Sequence, residues 1–430
     1  MGKKIQDYNW FYAVLIRYIN LFHTRRSYRR FEVHGAKNIP ENGAVIFGVN
    51  HSNTLMDAMV MLASSYKRKV FIARGDIFKK PFVAKILNFF RILPIFRMRN
   101  GVAAVRNNDE SLNKAVDVVH DKVGLYIFPE GTHRTKHSLL RMSKGIFHIA
   151  LDANTQFGDD SPIYIVPAAI EYGDYFRYRS TAMINFGEAI NVTDFIKNTT
   201  EENEAVQMNI LKEILFEKLS KLFTYIPDDE DYDAVWEIVK MKNEKRMGKL
   251  YKKMLRNRST VDKVLKFKEE KPEEAKALFE KVNQFAKDRV ENKISVTSTA
   301  KKYPLFNSIW KFLLLLVGLP YFIASTAVNL LVWLPTLIIR KGLKDPAFGN
   351  TVSWACELIL FPVVFIAGTI LLFCLTPWYW AAGGTILLFF SYTLFVDYQE
   401  LLRRYVSDIR WTFKKKLRKQ YADLNLNKLF

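Results

Sequence analysis

The stretch Asn50-His51-Ser52-Asn53-Thr54-Leu55-Met56-Asp57 sets one imidazole six residues ahead of one carboxylate. An imidazole can accept a proton near neutral pH, and a carboxylate holding its other ring nitrogen stabilises the imidazolium that forms. On a continuous helix, six residues turn side chains apart by about 240°. The pair can meet only if the chain turns between them. Asp57 is the only acid between His51 and Gly75, so it has no local rival. A second group, Pro94-Ile95-Phe96-Arg97-Met98-Arg99, puts Arg97 and Arg99 on one face of an extended segment. Two guanidinium groups on one face suit a phosphate, which they grip through paired hydrogen bonds. A third, Phe128-Pro129-Glu130-Gly131-Thr132-His133-Arg134, follows an apolar run; Gly131 permits an unusual backbone angle and Thr132 offers a hydroxyl. Lys144, in Ser143-Lys144-Gly145, opens a helix and is a further cation for a phosphate, and Val166-Pro167 ends a strand. The remaining histidines, His23, His34, His120, His137 and His148, read as structural or surface residues.

The elements that must position these groups are short. Ala44–Val49, Val70–Ala73, Leu125–Phe128 and Tyr164–Ala169 read as strands, and Asp57–Ser65 and Ala115–Asp121 as helices between them. That alternation predicts a mostly parallel sheet flanked by helices over residues 30–198.

Order and spacing make these four blocks similar to the motifs of the glycerolipid acyltransferases, the family of glycerol-3-phosphate and lysophosphatidate acyltransferases. Phe128–Thr132 matches the family's Phe-Pro-Glu-Gly-Thr letter for letter. Five residues stand between His51 and Asp57 where the family has four, a departure that bears on the acceptor more than on the chemistry. His133-Arg134 stands where Arg-Ser is common, and Arg134 is read as the displaced arginine. The resemblance implies an α/β acyltransferase domain in which His51 is the base and Asp57 its partner. It implies that Arg99 binds the acceptor phosphate with Arg97 as auxiliary, and that Glu130 and Gly131 bind the acceptor and shape the site. Thr132, Arg134 and Lys144 complete the implied substrate-binding set. The implied reaction moves a fatty acyl group from acyl-CoA or an acyl carrier protein onto lysophosphatidate or glycerol-3-phosphate. Another lysolipid as acceptor, or a non-catalytic membrane lipid-binding protein of the same fold, is the alternative. No metal and no other cofactor is expected, since the thioester is a substrate and no metal-ligand cluster shows in the sequence.

The rest of the chain points to a membrane. The net charge of +21 over 430 residues calls for anionic partners, and the apolar runs near the C-terminus favour anionic lipid over nucleic acid. Trp10, Phe11, Val14, Leu15, Ile19 and Phe22 recur at helical spacing beside Arg17, Arg25 and Arg26, so residues 1–29 are expected to lie in the membrane interface. Arg17 interrupts the apolar stretch and no small-residue cleavage site follows, so no signal peptide is expected. Gln6 occupies the position where myristoylation needs Ser or Thr. Residues 199–303 read as a charged helical region and 401–430 as a basic cytoplasmic tail. Residues 304–400 read as membrane helices, with spans at 357–377 and 378–396. The run 309–339 carries Pro320 and Pro335 and has basic flanks at both ends, which predicts a broken or re-entrant hairpin; a single tilted span is the alternative. The chain is thus expected to be an integral membrane protein with its catalytic domain on the cytoplasmic side. Cys356 and Cys374 build neither a disulfide framework nor a zinc site.

Overall fold

The computed structural model describes residues 4–95, 102–244, 248–300 and 304–430. They form two compact units: Met1–Tyr175 with Ser180–Tyr225, and Phe176–Arg179 with Ile226–Phe430. The first unit opens with helix α1 (Trp10–Arg17), a π-helical continuation (Tyr18–Thr24) and strand β1 (Arg30–His34). Strands and helices then alternate as β2 (Ala44–Val49), α2 (Thr54–Leu62), β3 (Lys69–Arg74), α3 (Pro81–Phe89), β4 (Ile92–Ile95), α4 (Val102–His120), β5 (Gly124–Ile127) and α5 (Gly145–Phe157). The unit closes with β6 (Ile163–Tyr172), β7 (Thr181–Phe186), β8 (Ile190–Asn191), α6 (Val192–Asn198) and α7 (Glu204–Ser220).

Among the described residues, eight strands make one sheet in the order β1-β7-β6-β2-β5-β3-β4, with β8 on β6. The pairings are parallel apart from β6–β7 and β6–β8, which gives the mostly parallel α/β class that the alternation predicts. Strand β2 is buried along its whole length, as a central strand covered on both faces must be. Strand β4 (Ile-Leu-Pro-Ile) was not anticipated, because Pro94 lacks a ladder donor; it fits here as an edge strand.

The boundary expected at residue 198 falls instead after Tyr225. Met208, Leu211, Leu215 and Leu219 of α7 share one apolar cluster with Ile46 and Ile165 of the sheet. A Cβ added at Gly48 would stand 3.0 Å from Leu215 and 3.2 Å from Ile146. The glycine in β2 is therefore what lets α5 and α7 seat so closely.

In the second unit, α8 (Tyr232–Asn243), α9 (Leu250–Glu270), α10 (Pro272–Glu291) and α11 (Val296–Thr299) precede α12 (Pro304–Lys341), α13 (Gly349–Leu375) and α14 (Trp378–Phe413). Two short helices, α15 (Lys415–Asp423) and α16 (Leu426–Leu429), end it. Among the described residues, α12, α13 and α14 are long and apolar enough to cross a membrane. The break expected across 309–339 is not present: α12 is one helix of 38 residues with Pro320 and Pro335 inside it. At 1.5 Å per residue it extends about 57 Å. Each proline withholds one N–H, from the carbonyls of Leu316 and Leu331, whereas breaking the helix in an apolar medium would leave more backbone groups without partners.

Candidate active site

Parallel strands β2 and β5 are neighbours, with Gly48 opposite Ile127, so the loops leaving their carboxyl ends emerge side by side. Ligands of open α/β sheets gather at that end. His51 leaves β2 and Phe128 leaves β5. Their rings stack with centroids 4.5 Å apart and planes 26° apart. Asn50 fixes the first loop against β6: its amide nitrogen donates to the Ile170 carbonyl at 3.1 Å, and its carbonyl oxygen accepts from the Ile170 N–H at 2.7 Å.

The chain does turn between His51 and Asp57. The turn lies at Ser52-Asn53, and α2 starts only at Thr54, whose φ is +49°. Asp57 sits in the first turn of that helix, where a negative charge is favoured and free N–H groups are at hand. Its Oδ2 accepts the backbone N–H of Ser52 at 2.8 Å and of Asn53 at 2.7 Å. The same oxygen meets His51 Nδ1 at 2.8 Å. Tyr172, at the end of β6, donates its hydroxyl to Asp57 Oδ1 at 2.8 Å. The carboxyl group is wholly buried and bound on both oxygens. An ionised carboxylate only accepts, so Nδ1 of His51 carries a hydrogen and the lone pair lies on Nε2. The imidazole keeps 18% of its side-chain surface exposed. This is the arrangement of a general base held in one tautomer.

Glu130 is buried, and both of its oxygens are occupied. Oε1 accepts the His51 N–H and Oε2 the Leu140 N–H, each at 2.8 Å. Burial pushes its carboxyl up to about 7, against the downward pull of the two N–H donors and of His51. In this arrangement Glu130 ties the loop after β5 to the loop that carries His51. Gly131 takes φ +65°, a left-handed value that favours glycine, and its N–H donates to the Phe128 carbonyl at 3.1 Å. Arg134 donates its backbone N–H to the His51 carbonyl at 3.1 Å and its guanidinium to the Ser138 hydroxyl at 2.9 Å. Thr132 is exposed in the same loop, and Lys144 is exposed at the N-terminal end of α5. Arg97 and Arg99 lie outside the described residues. The geometry adds two side chains that the motif reading passed over. Tyr172 carries no sequence signal, because its partner is 115 positions away. His133 brings its ring centroid within 5.8 Å of that of His51.

Residues 30–171 match the family model described as Acyltransferase. They form an acyltransferase-family domain. Among curated relatives, Glycerol-3-phosphate O-acyltransferase 2 of Saccharomyces cerevisiae is 28% identical over 136 residues, 31% of this chain and 17% of that protein. The chloroplastic 1-acyl-sn-glycerol-3-phosphate acyltransferase BAT2 of Brassica napus is 26% identical over 121 residues, 28% of this chain and 33% of its own length. The chain thus spans a third or less of these relatives. Among solved structures, the 1-acyl-sn-glycerophosphate (LPA) acyltransferase PlsC of Thermotoga maritima aligns with a TM-score of 0.35 and 21% identity, covering 49% of this chain and 80% of that one.

Proposed function

We propose that this protein transfers a fatty acyl group from an acyl thioester to the hydroxyl of lysophosphatidate or glycerol-3-phosphate, working at a bilayer in which α12, α13 and α14 anchor it. The observation that carries the reading is the buried, fully bonded Asp57 carboxylate against Nδ1 of a partly exposed His51. Nε2 takes the acceptor's hydroxyl proton as that oxygen bonds to the thioester carbonyl carbon. The tetrahedral oxyanion then collapses, the C–S bond breaks, and the proton passes from Nε2 to the leaving thiolate. His51 returns to its neutral form, and Asp57 stays ionised throughout.

In this reading Arg97 and Arg99 grip the acceptor phosphate, and Arg134 and Lys144 supply further positive charge. Gly131 and Thr132 shape the loop around the acceptor, while Glu130 holds that loop to His51. The donor is acyl-CoA or an acyl carrier protein, and the catalytic domain faces the cytoplasm, where both thioesters occur. The two curated relatives, named for glycerol-3-phosphate and for its 1-acyl derivative, support a phosphorylated acceptor.

The test is thiol release by the purified, detergent-solubilised chain from acyl-CoA and from acylated carrier protein. The acceptors are glycerol-3-phosphate, lysophosphatidate, and the unphosphorylated glycerol and monoacylglycerol. Turnover with a phosphorylated acceptor and none with its unphosphorylated counterpart is expected. Equal rates with both would remove the phosphate-gripping role, and release with no acceptor in the panel would reject the reading.

A further inference from the structure

Helix α3 is out of keeping with the unit that contains it. Its nine residues read Pro-Phe-Val-Ala-Lys-Ile-Leu-Asn-Phe, and none of them is buried. Helix α2 has the same length, and eight of its nine residues are buried. An apolar helix normally lays its apolar face on a core. Phe82 is 74% exposed and Ile86 40%, and Ile77 just ahead of the helix is 45% exposed.

Helix α1 stands beside α3. The ring of Phe89, at the end of α3, packs edge-on against Tyr12 with centroids 5.4 Å apart. Tyr12 and Ile16 form the buried side of α1, and Trp10, Phe11 and Val14 are exposed. The charged residues next to these side chains are mostly cationic: Lys79, Lys80 and Lys85 around α3 and Arg17 on α1, each exposed. Of the acids nearby, Asp76 is paired with Arg74 through two hydrogen bonds, and the exposed Asp7, three residues ahead of Trp10, accepts the Lys4 backbone N–H at 3.0 Å.

We infer that α1 and α3 together form the face by which the α/β unit enters the headgroup and upper acyl region of an anionic lipid leaflet. Large aromatics at the edge of an apolar patch with lysines beside them fit that boundary: the rings suit the interface, and the lysine stems reach back to phosphate. A protein partner would need complementary acids and a shaped surface; a leaflet supplies negative charge and a fluid apolar layer to both helices at once. This extends the membrane part of the proposed function from the three long helices to the catalytic unit itself.

The test reads depth rather than turnover, so its failure is separable from a failure of the acyl-transfer reading. In the full chain with Cys356 and Cys374 replaced by alanine, F82C, I86C, V14C and D159C would each carry a small fluorophore. Asp159, with 98% of its side chain exposed, serves as the aqueous control. The labelled proteins would be reconstituted in vesicles of phosphatidylcholine with phosphatidylglycerol. At positions 14, 82 and 86 we expect loss of fluorescence to a lipid-borne nitroxide and protection from iodide, with the reverse at 159. Access of iodide to 82 and 86 would overturn the inference. Protection from both quenchers would overturn it as well, since the face would then be covered by protein. As a second measurement, K79Q/K80Q/K85Q should lower nitroxide quenching at 82 in anionic vesicles and leave it unchanged in pure phosphatidylcholine. No change in either vesicle would remove the assigned role of the lysines.

Discussion

Replacing Asp57 by asparagine separates charge from shape at the site. The amide can keep its oxygen where Oδ2 stands, accepting the N–H groups of Ser52, Asn53 and His51. Its NH2 then faces Tyr172, whose hydroxyl can rotate from donor to acceptor. The fold should therefore survive with a loss of about 1–3 kcal/mol, the scale of hydrogen bonds to a charged group becoming neutral ones. The rate should suffer more. A 2.8 Å contact between Nδ1 and Oδ2 sets the charge centres of imidazolium and carboxylate about 4 Å apart, worth about 4 kcal/mol at an effective dielectric near 20. That attraction exists only once His51 has taken a proton, so its loss falls on the transition state and lowers kcat by roughly a thousandfold. The assay is thiol release at saturating acceptor, beside thermal unfolding in the same detergent. A folded Asp57→Asn protein with kcat within about tenfold of wild type would refute the claim that this carboxylate stabilises a charged imidazole.

Glu130 predicts a pH dependence of stability. Its carboxyl lies at about 7 in the folded protein against 4.5 in the unfolded chain. Its contribution is therefore complete below pH 4.5 and is lost as pH rises through about 7, a change of about 3 kcal/mol. Glu130→Gln cannot titrate, so the melting-temperature advantage of wild type over this variant should shrink from pH 5 to pH 8; an unchanged gap would contradict the assignment. Gly131→Ala forces a side chain into φ +65°, and a loss of about 1–2 kcal/mol with reduced turnover is expected. Wild-type stability would mean the loop relaxes freely. Leu215→Ala removes a wholly buried side chain between α7 and the sheet, so a loss of about 2–5 kcal/mol is expected in chemical unfolding of the α/β unit. A change below about 1 kcal/mol would mean that α7 is not part of that core.

Much of the sheet was legible because β2, β3, β5 and β6 are buried strands whose Val and Ile runs are bounded by polar or turn residues. The edges were less so: β4 hides a proline, and β1 is partly exposed along its length. The helical pattern of Leu211, Leu215 and Leu219 was readable, but periodicity tells that a face is buried and not against what. The proximity of His51 and Asp57 depended on a turn at Ser52-Asn53 that is made by the carboxylate itself, capturing two backbone N–H groups. Such a turn has no signature in residue type. Glu130 was assigned to the acceptor by resemblance, whereas its oxygens bond two backbone N–H groups, one of them ten positions on. Pro320 and Pro335 suggested a break because each removes a helix hydrogen bond, and in water the ends of a broken helix are solvated; in an apolar medium those ends find no water, so the unbroken helix leaves fewer groups without partners.

The most direct test is thiol release from an acyl thioester by purified His51→Ala beside wild type, in the same detergent and with the same phosphorylated acceptor. The account predicts release no faster than the protein-free background, while the variant unfolds at a temperature close to wild type. Turnover within a few-fold of wild type would contradict it, because a group other than His51 would then be taking the acceptor's proton.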